Sequence, residues 1–223
     1  MTIPKEPQER RSQLLNSAEA LFMEKGYEAA TVNDIIAREG IAKGTFYHYF
    51  RSKEEVLTAL VERVWDQFED EAHRIIDDPS LSTMEKVERV FGTTIALKKS
   101  KIYLVSIMNQ EQNVLLLDKL RREGQTRFTP LLTRLVDQGV REGVFDTPYP
   151  RHAVEFVIRS IGDPTIVTPP TEEEGAMQEW LEALGDILER VLGAPHGSFR
   201  TLMRSADQQM RGMLHLQIKN KDG

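Results

Sequence analysis

The chain has 223 residues, with 29 Lys+Arg against 35 Asp+Glu, a formal net charge of -6 and no Cys. At 40% hydrophobic and 29% charged it is too apolar for a disordered chain and long enough to bury a core, as one large domain or two small ones. The missing Cys excludes disulfides, Cys-ligated zinc, iron–sulfur clusters and thiol nucleophiles, and no apolar run nears the roughly 18 residues of a membrane span.

Taken in order, the segments read as helix after helix. Leu14, Leu15, Ala18, Leu21 and Phe22 recur at helical spacing over about Glu9 to Lys25, and Gly26 stops the run. Thr31 with Asp34 caps a short helix from Val32 to Glu39, and Gly40 breaks it. Another short helix covers Lys43 to Phe50. Ser52 with Glu55 opens a long one to about Ile76, striped by Val56, Leu57, Leu60, Val61, Val64, Trp65 and Phe68.

Ser82 with Glu85 caps a fifth helix, to about Ala96, and a sixth covers 100–109. The seventh runs over Val114 to Glu142, with a bend expected before Pro130. The eighth covers Arg151 to Ile161. The ninth starts from a Thr171 and Glu174 capping box and reaches Leu192, and a last amphipathic stretch spans Phe199 to Leu216. Strand alternation and hairpin dipeptides are missing, so the expected fold class is all-α.

The charge is unevenly spread. Residues 1–53 hold eight Lys/Arg and seven Asp/Glu, net +1, whereas residues 54–223 carry net -7. Within 41–53, Lys43, Arg51 and Lys53 meet no acid, and a local positive site on an acidic body is compatible with phosphate binding.

Two short helices joined by the tight turn Gly40-Ile41-Ala42 form a helix-turn-helix pattern. Phe46 and Phe50, four apart, share one face and can anchor the second helix. Thr45, His48 and Tyr49 then point elsewhere, with Lys43 at the helix start. Gly44 costs about 1 kcal/mol relative to Ala inside a helix, which a close approach to DNA would explain. Spacing alone leaves DNA binding and plain packing level.

Farther on, Met177, Leu181, Leu184, Leu188 and Val191 recur every 3.5 residues on average, widened by Trp180 and Ile187. Pattern alone suits an intramolecular core and a dimer seam equally. Enzyme motifs are absent: no Walker loop, dinucleotide fingerprint, zinc His pair or nucleophile elbow. His48, His73, His152, His196 and His215 are scattered, so neither metal nor cofactor is expected.

Three stretches carry a resemblance: Phe22-Met23-Glu24-Lys25-Gly26-Tyr27, Thr31-Val32-Asn33-Asp34-Ile35 and Gly40 through Glu54. Together they closely resemble the tetracycline-repressor (TetR/AcrR) family of bacterial transcriptional regulators, densely over about residues 9 to 60. Beyond residue 60 only the helical layout resembles the family.

The resemblance implies a non-enzymatic cytoplasmic homodimer that binds a pseudo-palindromic double-stranded DNA operator as a repressor and is released by a small-molecule effector. It implies an N-terminal three-helix DNA-binding domain, 1–53, and a C-terminal helical bundle, 54–223, for ligand binding and dimerisation. Carried over, Thr31, Lys43, Lys53, Tyr47 and Tyr49 would bind phosphates, Gly44 would allow close approach, and Thr45 and His48 would read bases. Many members have Ser where this chain has Ala42, and a small residue where it has Glu39, which is expected to face solvent.

The dimer would form from Phe156, Val157 and Ile161 with Met177, Trp180, Leu181, Leu184, Leu188 and Val191. Phe91, Ile95, Tyr103, Ile107, Met108, Leu116 and Phe128 would line a pocket for an effector, expected neutral or lipophilic because no buried cluster of one charge sign is evident. The alternative is a DNA-binding protein governed by abundance or a protein partner. The stretch after Pro195 is expected to cap its own bundle rather than lie on a membrane.

Overall fold

The computed structural model describes the backbone of residues 7–101, 104, 107, 114–162 and 175–219, and the side chains of the same positions except 98–100, 114–115, 161–162 and 210–219. Among the described residues every regular element is helical, as the all-α reading expects. The helices are α1 (Pro7–Lys25), α2 (Val32–Glu39), α3 (Lys43–Tyr49), α4 (Lys53–Ile76), α5 (Thr83–Ser100), α6 (Val114–Arg141), α7 (Pro150–Gly162), α8 (Ala176–Leu192) and α9 (Arg200–Lys219). Most of the expected sixth segment, 100–109, and the Thr171–Glu174 capping box lie outside the described residues.

The described residues fall into two compact units, one of those up to 67 with those of 101–113, the other of those of 68–100 with those from 114 on. In the first unit, α1 begins with Pro7, whose missing N–H costs nothing in a first turn. Its apolar stripe of Leu14, Leu15, Ala18, Leu21 and Phe22 is buried, together with Ile35 of α2, Phe46 of α3 and Val56, Leu57 and Leu60 of α4. The Ser52 cap is only half a capping box. The Glu55 N–H donates to Ser52 Oγ at 3.2 Å, but the Glu55 carboxylate accepts from the Arg51 N–H at 2.6 Å, one residue upstream of the expected partner.

In the second unit, Ser82 and Glu85 cap each other reciprocally at the start of α5. The buried Lys86 ammonium donates to the Ile76 carbonyl at 2.7 Å and to Gln138 Oε1 at 3.1 Å, closing the open end of α4 and satisfying a cation otherwise costly to bury. Helix α6 continues through Pro130, where Thr126, Thr129 and Thr133 hydroxyls donate to carbonyls four residues back. Helices α8 and α9 pack closely because Gly185 has no Cβ; one built there would lie 3.0 Å from Met203 Cγ. The turn between them is tied by Glu189, whose buried carboxylate accepts the Phe199 N–H at 3.2 Å. Burial works to raise its pKa, but the N–H groups of Gly197 and Phe199 and the neighbouring His196 outweigh it and hold the carboxyl below its ordinary range. Of the described residues after Pro195, Phe199, Leu202, Met203 and Ala206 pack into the core of the second unit.

Candidate nucleic-acid interface

The helix-turn-helix is built from the inside out. Thr31 accepts the Asp34 N–H at 3.1 Å, and Asp34 accepts the Thr31 N–H at 2.8 Å, a complete capping box at the start of α2. Asp34 also receives Lys25 at 2.8 Å, and Lys25 first, then Thr31, hold its carboxyl well below the usual carboxylate range. Gly40 ends α2 in the left-handed region (φ 61°), which lets the Ile41 N–H reach back to the Ile36 carbonyl. Two residues later α3 begins.

Phe46 and Phe50 are fully buried with ring centroids 6.0 Å apart, and the Arg11 guanidinium lies over the Phe50 ring. That anchor turns the opposite side outward. Lys43, Gly44, Tyr47 and His48 are exposed, and Thr45 and Tyr49 half-buried. The Lys43 ammonium sits 5.9 Å from the Tyr47 ring centroid, and the His48 and Tyr49 rings meet edge to face.

Ion pairing sorts the cations of this unit. Arg10, Lys25 and Arg38 face Glu39, Asp34 and Glu24. Among the described residues Lys43 and Arg51, like Arg11 and Lys53, form no ion pair, which leaves cations without a carboxylate partner on and beside α3.

Two expected phosphate contacts are already engaged. The Thr31 hydroxyl donates its one proton to Asp34 Oδ2 at 2.7 Å. The Lys53 ammonium donates to the Tyr27 carbonyl at 2.8 Å and to the Glu28 carbonyl at 3.4 Å, and stands 4.2 Å from the Tyr27 ring centroid. Three N–H groups leave it one more bond to make. Glu39 corrects an expectation. It does not face solvent; it accepts the Ser17 hydroxyl and approaches Arg10, because its position on α2 points toward α1. Nothing in the sequence spacing announced the Arg11–Phe50, Ser17–Glu39 or Lys53–Tyr27 contacts, which are all long-range.

The residues expected to line an effector pocket fall in both units where they are described. Ile95 is buried, Phe91 packs against the same core, and Phe128 stands edge to face with Phe68 at 4.9 Å. Leu116 is half-buried and Ile107 buried in the first unit, while Tyr103 and Met108 lie outside the described residues. A groove of about 600 Å³ lies between α8 and α9, over Leu181, Gly185 and Met203.

Of the expected dimer seam, Leu181 and Leu188 already pack within the single chain. They are 1% and 6% exposed within the single chain, because the inner side of α8 packs on α9. Phe156 (54%) and Ile187 (48%) are exposed, whereas Val157, Met177, Trp180, Leu184 and Val191 are half-buried. The side chain of Ile161 is outside the described residues.

Comparison with known proteins agrees with this architecture. Residues 14–60 match the model of bacterial regulatory proteins, tetR family. The chain is 32% identical over 170 residues, 71% of its length and 79% of the relative's, to the HTH-type transcriptional repressor KstR2 of Mycobacterium tuberculosis (strain ATCC 25618 / H37Rv). Its fold matches a TetR/AcrR-family transcriptional regulator from Thermobifida fusca (TM-score 0.60, 23% identity, 87% of this chain and 97% of that one). It also matches SmeT, the repressor of the Stenotrophomonas maltophilia multidrug efflux pump SmeDEF (TM-score 0.59, 23% identity, 85% and 92%), a protein also solved as a triclosan complex. Among the described residues no helix is long and apolar enough to cross a membrane. With its helix-turn-helix, its all-helical fold and these relatives, the chain belongs to the TetR family of bacterial regulatory proteins, which are DNA-binding transcriptional regulators and not enzymes.

Proposed function

We propose that the chain is a homodimeric cytoplasmic repressor that lays α3 of each subunit in a major groove of a pseudo-palindromic operator, with 1–53 as the reading domain and 54–223 as the regulatory and dimerisation domain. The observation that carries this reading is the outward side of α3. It is acid-free, flanked by the unpaired cations Lys43 and Arg51, and held rigidly by two buried phenyl rings. In that arrangement Lys43, Lys53, Tyr47 and Tyr49 contact phosphates, Gly44 admits the backbone, and Thr45 and His48 reach base edges. Thr31 supports the α2 N-terminus, whose free N–H groups then face a phosphate.

Two-fold pairing of the reading heads requires a self-complementary face. Phe156 and Ile187 supply exposed apolar surface for one, extended by Val157, Ile161, Met177, Trp180, Leu184 and Val191. A small molecule that favours the non-binding state by 1–3 kcal/mol weakens operator affinity about 5- to 150-fold. The triclosan complex of SmeT supports a small-molecule effector, and Phe91, Ile95, Leu116 and Phe128 are the apolar side chains of the second unit offered for it. The packing of Ile95 and Phe128 favours a second reading on this point alone, control by abundance or a protein partner.

Footprinting on the DNA upstream of the chain's own gene tests the main reading. A protected pseudo-palindrome, lost steeply with added salt, is expected. Changing Thr45 or His48 should then alter which sequence is preferred. No protection at low salt would remove the proposal. Native mass spectrometry separates the two readings of control, since a co-purified small molecule supports the effector.

A further inference from the structure

The turn between α8 and α9 brings together three side chains of metal-ligand type. Asp186 and Glu189 are three apart on α8 and share a face. His196 follows the left-handed cap at Gly193 and folds back, placing its Nδ1 3.2 Å from Glu189 Oε2. One carboxylate oxygen of Asp186, one of Glu189 and a ring nitrogen of His196 all lie within 4.8 Å of one another. All three line the groove beneath α8.

Glu189 is built as a ligand is usually held. It is 6% exposed, and its Oε1 accepts the Phe199 N–H at 3.2 Å, leaving Oε2 turned toward His196. Outer donors of this kind fix a ligand's orientation. His196, with 80% of its side chain exposed, leaves the open side of the groove to water. Asp186 is gripped by Arg190 at 2.8 Å, but the Arg190 side chain is 76% exposed. Such a surface pair yields to a stronger competitor.

The geometry points to a divalent transition-metal site at Asp186, Glu189 and His196, with water completing the coordination. One imidazole nitrogen and two carboxylates suit Zn2+, Co2+ or Ni2+, whereas Mg2+ and Ca2+ prefer all-oxygen sets. The Glu189–His196 separation matches neighbouring ligands around a tetrahedral ion, whose bonds of about 2.1 Å place them roughly 3.4 Å apart. Asp186 closes the remaining distance by rotating off Arg190. The ion replaces the Glu189–His196 hydrogen bond and ties α8 to the start of α9. This site is independent of the DNA-binding reading.

Full-length protein freed of metal with a chelator, then titrated with ZnCl2 in a calorimeter and with CoCl2 by visible absorption, tests it. One equivalent per chain, a Co2+ ligand-field band and a raised Tm are expected. Asp186→Asn and His196→Ala change groups outside the core, so circular dichroism should show both folded, and each should weaken binding at least about tenfold. Absence of binding up to millimolar metal overturns the site. So does unchanged affinity in both variants, or displacement of Co2+ by an equal concentration of Mg2+.

Discussion

Glu19 and Lys101, 82 positions apart in the chain, meet at 2.6 Å, and the same carboxylate takes the Arg63 guanidinium at 2.5 Å. Arg63 reaches on to Asn16, so α1, α4 and the residue after α5 share one polar knot. The three charged side chains are 16–26% exposed, which limits solvent screening without removing it. Neutralising the shared anion weakens two ion pairs at once, whereas removing Lys101 leaves the Arg63 pair intact. Glu19→Gln should therefore cost about 1–3 kcal/mol and Lys101→Ala under about 1 kcal/mol. Urea denaturation of both variants measures this; equal losses would show that Glu19 is not the hub.

Gly44 separates folding from DNA contact. A Cβ there meets nothing within 4 Å, and its backbone is ordinary helix. Gly44→Ala should thus leave stability unchanged or raise it by up to about 1 kcal/mol. If α3 lies against duplex DNA, the same methyl group keeps the backbone from a phosphate, and operator affinity falls. Thermal melts and an anisotropy titration on one preparation measure both effects. Unchanged affinity would remove Gly44 from the interface.

Lys53 has a structural role and a proposed phosphate contact, which one substitution splits. Lys53→Met keeps an unbranched stem of similar length but loses the ammonium from the Tyr27 ring and from the Tyr27 and Glu28 carbonyls, costing about 1–2 kcal/mol. If the third N–H binds phosphate, the variant also weakens every DNA sequence about equally and lowers the salt slope by about one unit. A stability loss with an unaltered slope would make Lys53 purely structural.

Ile187 is the sharpest probe of pairing, being an exposed apolar side chain on a helix whose inner side is already buried. Ile187→Arg places a charge where a partner would exclude water, so sedimentation should show a monomer with an unchanged helical spectrum. A persistent dimer would move the interface elsewhere.

Period and punctuation made the helices legible, because a stripe such as Leu14, Leu15, Ala18, Leu21 and Phe22 needs only a 3.6-residue turn to be recognised. The anchor of α3 was legible for the same reason: four-residue spacing puts Phe46 and Phe50 on one face. Contacts fixed by tertiary approach were not. Glu39 reads as a solvent-facing charge until α1 brings Ser17 to it. Leu181 and Leu188 fit a heptad seam equally well within one chain or between two, and their burial under α9 shows only once the helices are placed. The groove beside Gly185 likewise depends on how closely two helices approach.

Asp34 links charge to pH at the α2 N-terminus. Its carboxylate takes Lys25, the Thr31 hydroxyl and the Thr31 N–H, and these hold its pKa well below the ordinary 3.8. A carboxyl depressed in the folded state stabilises the fold at any pH above its unfolded value, and that stability is lost as pH falls through 3.8 toward the folded value. Asp34→Asn should therefore be less stable than the natural chain at neutral pH, and the gap should narrow in acid, where the aspartate is protonated. Other depressed carboxyls, such as Glu24 beside Arg38 and Glu85 beside Ser82, weaken both proteins alike in acid. The difference between the two isolates Asp34. Denaturation midpoints on either side of the ordinary Asp pKa decide the matter: a gap that stays constant means the Lys25–Asp34–Thr31 knot does not stabilise the helix-turn-helix through its charge.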